Sequence, residues 1–206
     1  MADKSRLYQE GNYGMKVFAL TYDESGNAVY GEAQPIQGLV NVDITFSRTR
    51  TKTAADDVVD YLNRTSPEKG DGTITLLGLS TADYQKLYNN IVDSKGVVVI
   101  GRKAQTKRLG IIFYNTENYE GGSSENMFVL PNVTFEMPNI STQTIAEDDT
   151  TIREFALTVQ ANAQAYMTSD NKKDRYTCAI VNSVDNADIY DTVKDTVYVP
   201  DKAVSL

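Results

Sequence analysis

The stretch that most restricts the fold is residues 39–46, where Val40, Val42, Ile44 and Phe46 alternate with Asn41, Asp43 and Thr45. Successive side chains of a β-strand point to opposite faces, so this alternation gives one segment an apolar face and a polar face. A helix would scatter both sets around its surface. The same period returns within 152–163, where Phe155, Leu157, Val159 and Ala161 alternate with Ala156, Thr158 and Gln160. Segments so distant in sequence need a shared sheet, and the chain reads as mainly β.

The remaining segments agree. Residues 15–22 are rich in β-formers, 23–27 form a turn cluster, and 28–33 return as a hairpin partner that ends at Pro35. Strands are expected at 73–79, 107–114 and 127–137, the last divided or bulged at Pro131. Residues 115–126, with Gly121 and Gly122, read as a loop. One helix is predicted at about 81–93. Ser80 or Thr81 supplies its N-cap, and Tyr84, Leu87, Tyr88 and Ile91 recur at helical spacing.

After Phe46 the alternation continues in a different chemistry. Arg48, Arg50 and Lys52 keep the parity of Phe46, while Thr49, Thr51, Thr53, Ala54, Ala55, Asp56 and Asp57 complete a segment with little to bury. A strand that leaves the core and becomes a long exposed hairpin arm, about 47–58, has this composition.

Composition then narrows the chemistry. The 206 residues include no histidine and one cysteine, Cys178. That removes the commonest general base and transition-metal ligand, and a structural zinc site of the usual kind cannot be built. The expectation is a protein that is not an enzyme and holds no cofactor or metal. Cys178 lies in the apolar stretch 176–181 and reads as a small buried hydrophobe. At 41% hydrophobic residues the chain can fill a core. Its first apolar run, 15–20, is too short for a bilayer span or a signal peptide, so no membrane partner is expected and synthesis in a cytoplasm is the default.

Twenty basic and twenty-eight acidic residues give a net charge of −8. A protein that grips nucleic acid normally has the opposite balance, because neutralised phosphates supply much of its affinity. Two basic patches stand out: Arg48, Arg50 and Lys52, then Arg102, Lys103, Lys107 and Arg108. Acidic Glu147, Asp148 and Asp149, with Asp56 and Asp57, are possible complements on a neighbouring copy; the plainer reading is solvated surface charge. The 147–149 acids lack the spacing and glycine of an EF-hand loop, and Gly121-Gly122 lacks the lysine and helix of a phosphate cradle.

The order of elements resembles the major tail (tail-tube) proteins of siphophages. The resemblance lies in the hairpin, the strand ending in RTRTKTAADD (48–57), GTITLLGLS (72–80) leading into the helix, and IIFY (111–114). FVLPNVTF (128–135) followed by TIREFALT (151–158) completes it, over roughly residues 12–165. It implies a β-sandwich or barrel of tail-tube type with one flanking α-helix, and hexameric rings whose inner strands make a continuous barrel. Rings stack through an extended loop and the termini into a tube that passes DNA without sequence-specific binding. In this chain, residues 47–58 match the stacking arm and 1–13 form an N-terminal arm. Residues 14–165 are the β domain, and 166–206 a C-terminal extension or added strands. The resemblance further implies other tail proteins at the tube ends and a place in the virion, after synthesis in a bacterial host. Asn41, Asp43 and Thr45 are the candidate lumen-facing residues.

Two other classes compete. A β-sandwich module for carbohydrate or cell-surface recognition would use some of the thirteen tyrosines. A carboxylate-dependent enzyme would need paired acids in a cleft, and the sequence shows no such pair.

Overall fold

A computed structural model describes residues 8–55, 58–101, 103–138, 154–169, 172–194 and 196–201, with backbone alone for 53–55 and 58–63. In chain order the first elements are β1 (Tyr8–Tyr22), β2 (Ala28–Tyr30), β3 (Gln34–Pro35), β4 (Leu39–Ser47), β5 (Arg50–Ala55), β6 (Val58–Thr65) and β7 (Lys69–Leu76). Then come α1 (Thr81–Leu87), β8 (Tyr88–Asn89), β9 (Gln105–Thr106), β10 (Leu109–Tyr119), β11 (Gly122–Phe135) and β12 (Phe155–Asn162). The described chain closes with β13 (Gln164–Met167), β14 (Lys173–Tyr176), β15 (Ala179–Asn182) and α2 (Ala187–Val193).

The protein is mainly β, and one nine-stranded sheet runs β2-β1-β10-β11-β12-β7-β4, with β3 added to β1 and β15 to β11. Alternation sets its faces. In β12, Leu157, Val159 and Ala161 are buried while Ala156, Thr158 and Gln160 are exposed. In β4, Val42 and Ile44 are half-buried and Asn41, Asp43 and Thr45 are exposed. β4 ends the sheet, so its apolar face is covered less well, and Phe46 is 39% exposed.

Strand β10 is different: Leu109 to Asn115 are buried without a break, so both its faces are covered. Leu109, Ile111 and Phe113 join Leu76, Val133, Phe135 and Val159 in the larger cluster, closed by Leu87, Tyr88 and Ile91. Phe113 and Phe128, paired across the ladder, stack at 4.9 Å. On the other face Ile112 and Tyr114 meet Phe18, Met127, Val181, Tyr190 and Val197. A chain of this size buries two faces of one sheet by wrapping its own C-terminal part over the second.

That wrapping sharpens the expectation for 166–206. These residues add strands β13 to β15 and helix α2, and Val181, Tyr190 and Val197 enter the core. At the other terminus, β1 already begins at Tyr8 inside the predicted N-terminal arm, with Tyr13 opposite Tyr114; residues 1–7 lie outside the described ones.

Two further expectations are corrected. The helix predicted for 81–93 stops at Leu87. Its start is well made: Ser80 and Asp83 form a reciprocal capping box. It ends because Tyr88 turns extended to pair with Thr106, and Asn90 takes a positive φ of 54°. Tyr88 and Ile91 are buried as the spacing demanded, but from a strand and a loop. Residues 115–126 are no loop. They continue β10 and β11 as a ribbon, Asn115 opposite Asn126 and Tyr119 opposite Gly122. Of the two alternatives at Pro131, a divided or a bulged strand, the bulge is found: Leu109 faces Val133, but Ile111 faces Leu130.

Candidate functional site

The exposed face of β4 is extended by its neighbours into a polar surface. Register gives its rows: Asn41–Thr75–Ala156, Asp43–Thr73–Thr158 and Thr45–Asp71–Gln160. None of these rows holds a lysine or arginine. The first cation is in the following row, Ser47–Lys69–Asn162. The candidate lumen residues Asn41, Asp43 and Thr45 thus share one surface with hydroxyls, an amide and a second carboxylate, Asp71.

Two glycines on the opposite face make this arrangement fit. A Cβ on Gly72 would sit inside the backbone carbonyl of Asp43, and one on Gly70 would lie 2.8 Å from the Ile44 and Phe46 side chains. β4 therefore presses onto β7 where β7 has no side chain, and this close approach holds the three candidate residues outward. Neither glycine stood out in the sequence; only the register reveals their role.

From the end of this surface the chain leaves the sheet. β5 and β6 pair only with each other, Arg50 opposite Thr65 and Ala55 opposite Val58. The root is closed by the Ser66 amide donating to the Thr49 carbonyl at 2.8 Å and the Thr49 amide to the Ser66 hydroxyl at 2.9 Å. The arm assigned to 47–58 is thus the first half of a ribbon whose return strand extends to Thr65. Arg48, Thr49, Arg50, Thr51 and Lys52 are exposed along it. For Thr53, Ala54 and Ala55 the backbone alone is described, and Asp56 and Asp57 lie outside the described residues.

The charged candidates are not brought together as one patch. Arg48 pairs with Glu68 at 3.3 Å. Lys107 is turned inward, donating to the Gln85 carbonyl, and burial pushes its pKa down. Arg108 lies over the Tyr22 ring at 5.9 Å. Lys103 is exposed. Arg102, Glu147, Asp148 and Asp149 lie outside the described residues.

The ribbon of β10 and β11 carries a polar interior that the sequence concealed. The Asn182 side-chain amide donates to Glu117 at 3.1 Å, Ser124 at 3.0 Å and Asn126 at 2.7 Å, and the Ser124 hydroxyl donates to Glu117 at 3.0 Å. All four residues are buried. Beside it, Glu125 accepts from the hydroxyls of both Tyr13 and Tyr190, joining β1 to α2. Burial, reinforced by that carboxylate, pushes the Tyr13 hydroxyl up to about 12 and raises Tyr190 as well.

Among several concavities in the described residues, two border β14. One, of about 600 Å³, opens at the arm's root between Arg48, Thr65–Glu68 and Ala163, Arg175–Cys178. Burial first, and Glu68 second, push the Cys178 thiol up to about 11, so it is protonated near neutrality. The other, about 210 Å³, is lined by Tyr30, Gln164, Tyr166, Met167, Tyr176 and Val199. Among the described residues no group of three or more cysteines and carboxylates is placed to hold a metal ion.

Set beside known proteins, the chain matches no family model and no curated protein.

Proposed function

We propose that the chain is a structural subunit of a bacteriophage tail tube, assembling with copies of itself into stacked hexameric rings around a conduit for DNA. The observation that carries this reading is the cation-free surface of Asn41, Asp43, Thr45, Asp71, Thr73, Thr75, Thr158 and Gln160, ending where the β5–β6 arm leaves the sheet. Duplex DNA carries one negative charge per about 1.7 Å, so a lining of hydroxyls, amides and carboxylates lets it slide where a basic one would hold it. β4 ends the sheet and, among the described residues, has no ladder partner on its outer edge. Such an edge invites pairing with another chain, and ring closure disposes of it within a finite assembly. The arm, outside the sheet and rich in threonine and basic residues, serves as the contact to the next ring.

A second reading is a carbohydrate- or cell-surface-binding module, and the tyrosine-lined pocket favours it. Its polar atoms are already engaged, however. Tyr30 donates to the Pro131 carbonyl, Tyr176 to that of Tyr198, and Tyr166 to Asp174, while Gln164 accepts from Tyr22. Ring surfaces remain, with few groups to orient sugar hydroxyls. Sedimentation velocity over rising concentration separates the two. The tube reading predicts rings and then long polymers, and the binding-module reading a monomer throughout. A monomer that is retained on a glycan array would overturn the tube assignment.

A further inference from the structure

We infer that neighbouring copies within a ring meet by seating the acidic ridge of α2 in the basic groove at the arm's root, a contact that rests on the tube reading above. The groove presents the guanidiniums of Arg48 and Arg175 with Tyr176 and Pro67 as apolar walls. Arg48 is already shared with Glu68, but Arg175 has no ion-pair partner among the described residues. The ridge has the complementary chemistry. Asp188 and Asp191 are exposed on α2, and Ile189 and Val184 expose aliphatic surface beside them at 36% and 44%. Asp191 is held by Lys194 at 3.1 Å, whereas Asp188 has no such partner among the described residues.

Placement argues for a contact between copies. The row Ser47–Lys69–Asn162 marks the end of the sheet from which the arm departs. β11 runs antiparallel to β12 with Val133 opposite Ala161, so residues 122–132 continue beyond that same end. α2 is fastened there, Tyr190 to Glu125 and the Lys194 carbonyl accepting from Tyr114 at 2.7 Å. Groove and ridge therefore lie at one end of the sheet. They are separate surfaces: the groove is walled by Arg48, residues 65–68 and Arg175–Cys178, and the ridge lies over β11, β10 and β1. A head-to-tail contact around a ring needs two different surfaces of one chain, one given to each neighbour, and groove and ridge are such a pair.

The experiment is a charge swap on the full chain, with Arg175→Glu, Asp188→Lys and the double variant, each checked for wild-type circular dichroism. Electrostatic contacts at an interface change association in a pairwise manner, so each single variant should raise the concentration needed for assembly about tenfold and the double should recover most of it. Single variants that assemble like the wild type, or a double variant no better than the singles, overturn the contact and leave the tube reading standing. Wild-type protein that never assembles overturns both.

Discussion

Gly72 of β7 stands opposite Ile44 of β4, and the carbonyl of Asp43, one row away, occupies the space a side chain on Gly72 would need. The obstacle is backbone, which cannot swing aside as a flexible side chain would. Gly72→Ala should therefore destabilise the chain by about 3 kcal/mol, the upper end of ordinary overpacking costs, and chemical denaturation would measure it. A cost near zero would mean that β4 does not lie so close to β7. Cys178 offers a second test. Its thiol, pushed from the ordinary 9.0 up to about 11, should react with iodoacetamide at pH 8 about a hundredfold more slowly in the folded chain than after denaturation. Equal rates would show that the thiol is neither buried nor perturbed. The sequence reading of Cys178 as a small hydrophobe agrees with its half-buried place against the larger cluster.

At the scale of elements, the tube reading assigns the arm to assembly and the helix to folding. The arm's ladder is its own, and the hydrogen bonds between Thr49 and Ser66 close it at the root. Replacing residues 50–65 by a short glycine turn should shift Tm by less than about 4 °C, the change that roughly 1 kcal/mol produces at this size, while abolishing ring stacking. Calorimetry and electron microscopy read the two effects. The α1 cap is the reverse case. Burial works to raise the Asp83 pKa, but the Ser80 hydroxyl and Lys86 hold it below the ordinary carboxylate value. A depressed folded pKa stabilises above the unfolded value and is lost as pH falls through the folded one. Ser80→Ala should cost about 1 kcal/mol at pH 7 and less in acid, with assembly unchanged. Elements with a strict period were legible in sequence: β4, β12 and the start of α1. The ribbon at 115–126 was not. Glu117, Ser124 and Asn126 look like loop residues, and the partner that joins them, Asn182, is more than fifty residues away. The end of α1 was missed for a related reason, since Tyr88 gains a ladder with Thr106 that no local spacing announces.

For the whole molecule, the central matter is which way the polar face looks. The sequence supplied Asn41, Asp43 and Thr45 as one parity of one strand; the fold supplied the register that joins them to Asp71, Thr73, Thr75, Thr158 and Gln160. It also gave residues 166–206, read in sequence as a C-terminal extension or added strands, the role of covering the second core face, which rests on contacts between segments too far apart in sequence to be read from either alone. If charge pairing joins the copies, assembly should weaken as salt rises, since screening acts on exposed pairs; light scattering from low to high salt would reveal it. The most direct measurement is a helical reconstruction by electron microscopy of the polymer formed by the purified chain. A tail-tube subunit gives a uniform tube with Asn41, Asp43 and Thr45 facing a lumen wide enough for duplex DNA. A polymer in which that strand face points outward, or is buried against a neighbour, would contradict the tube reading.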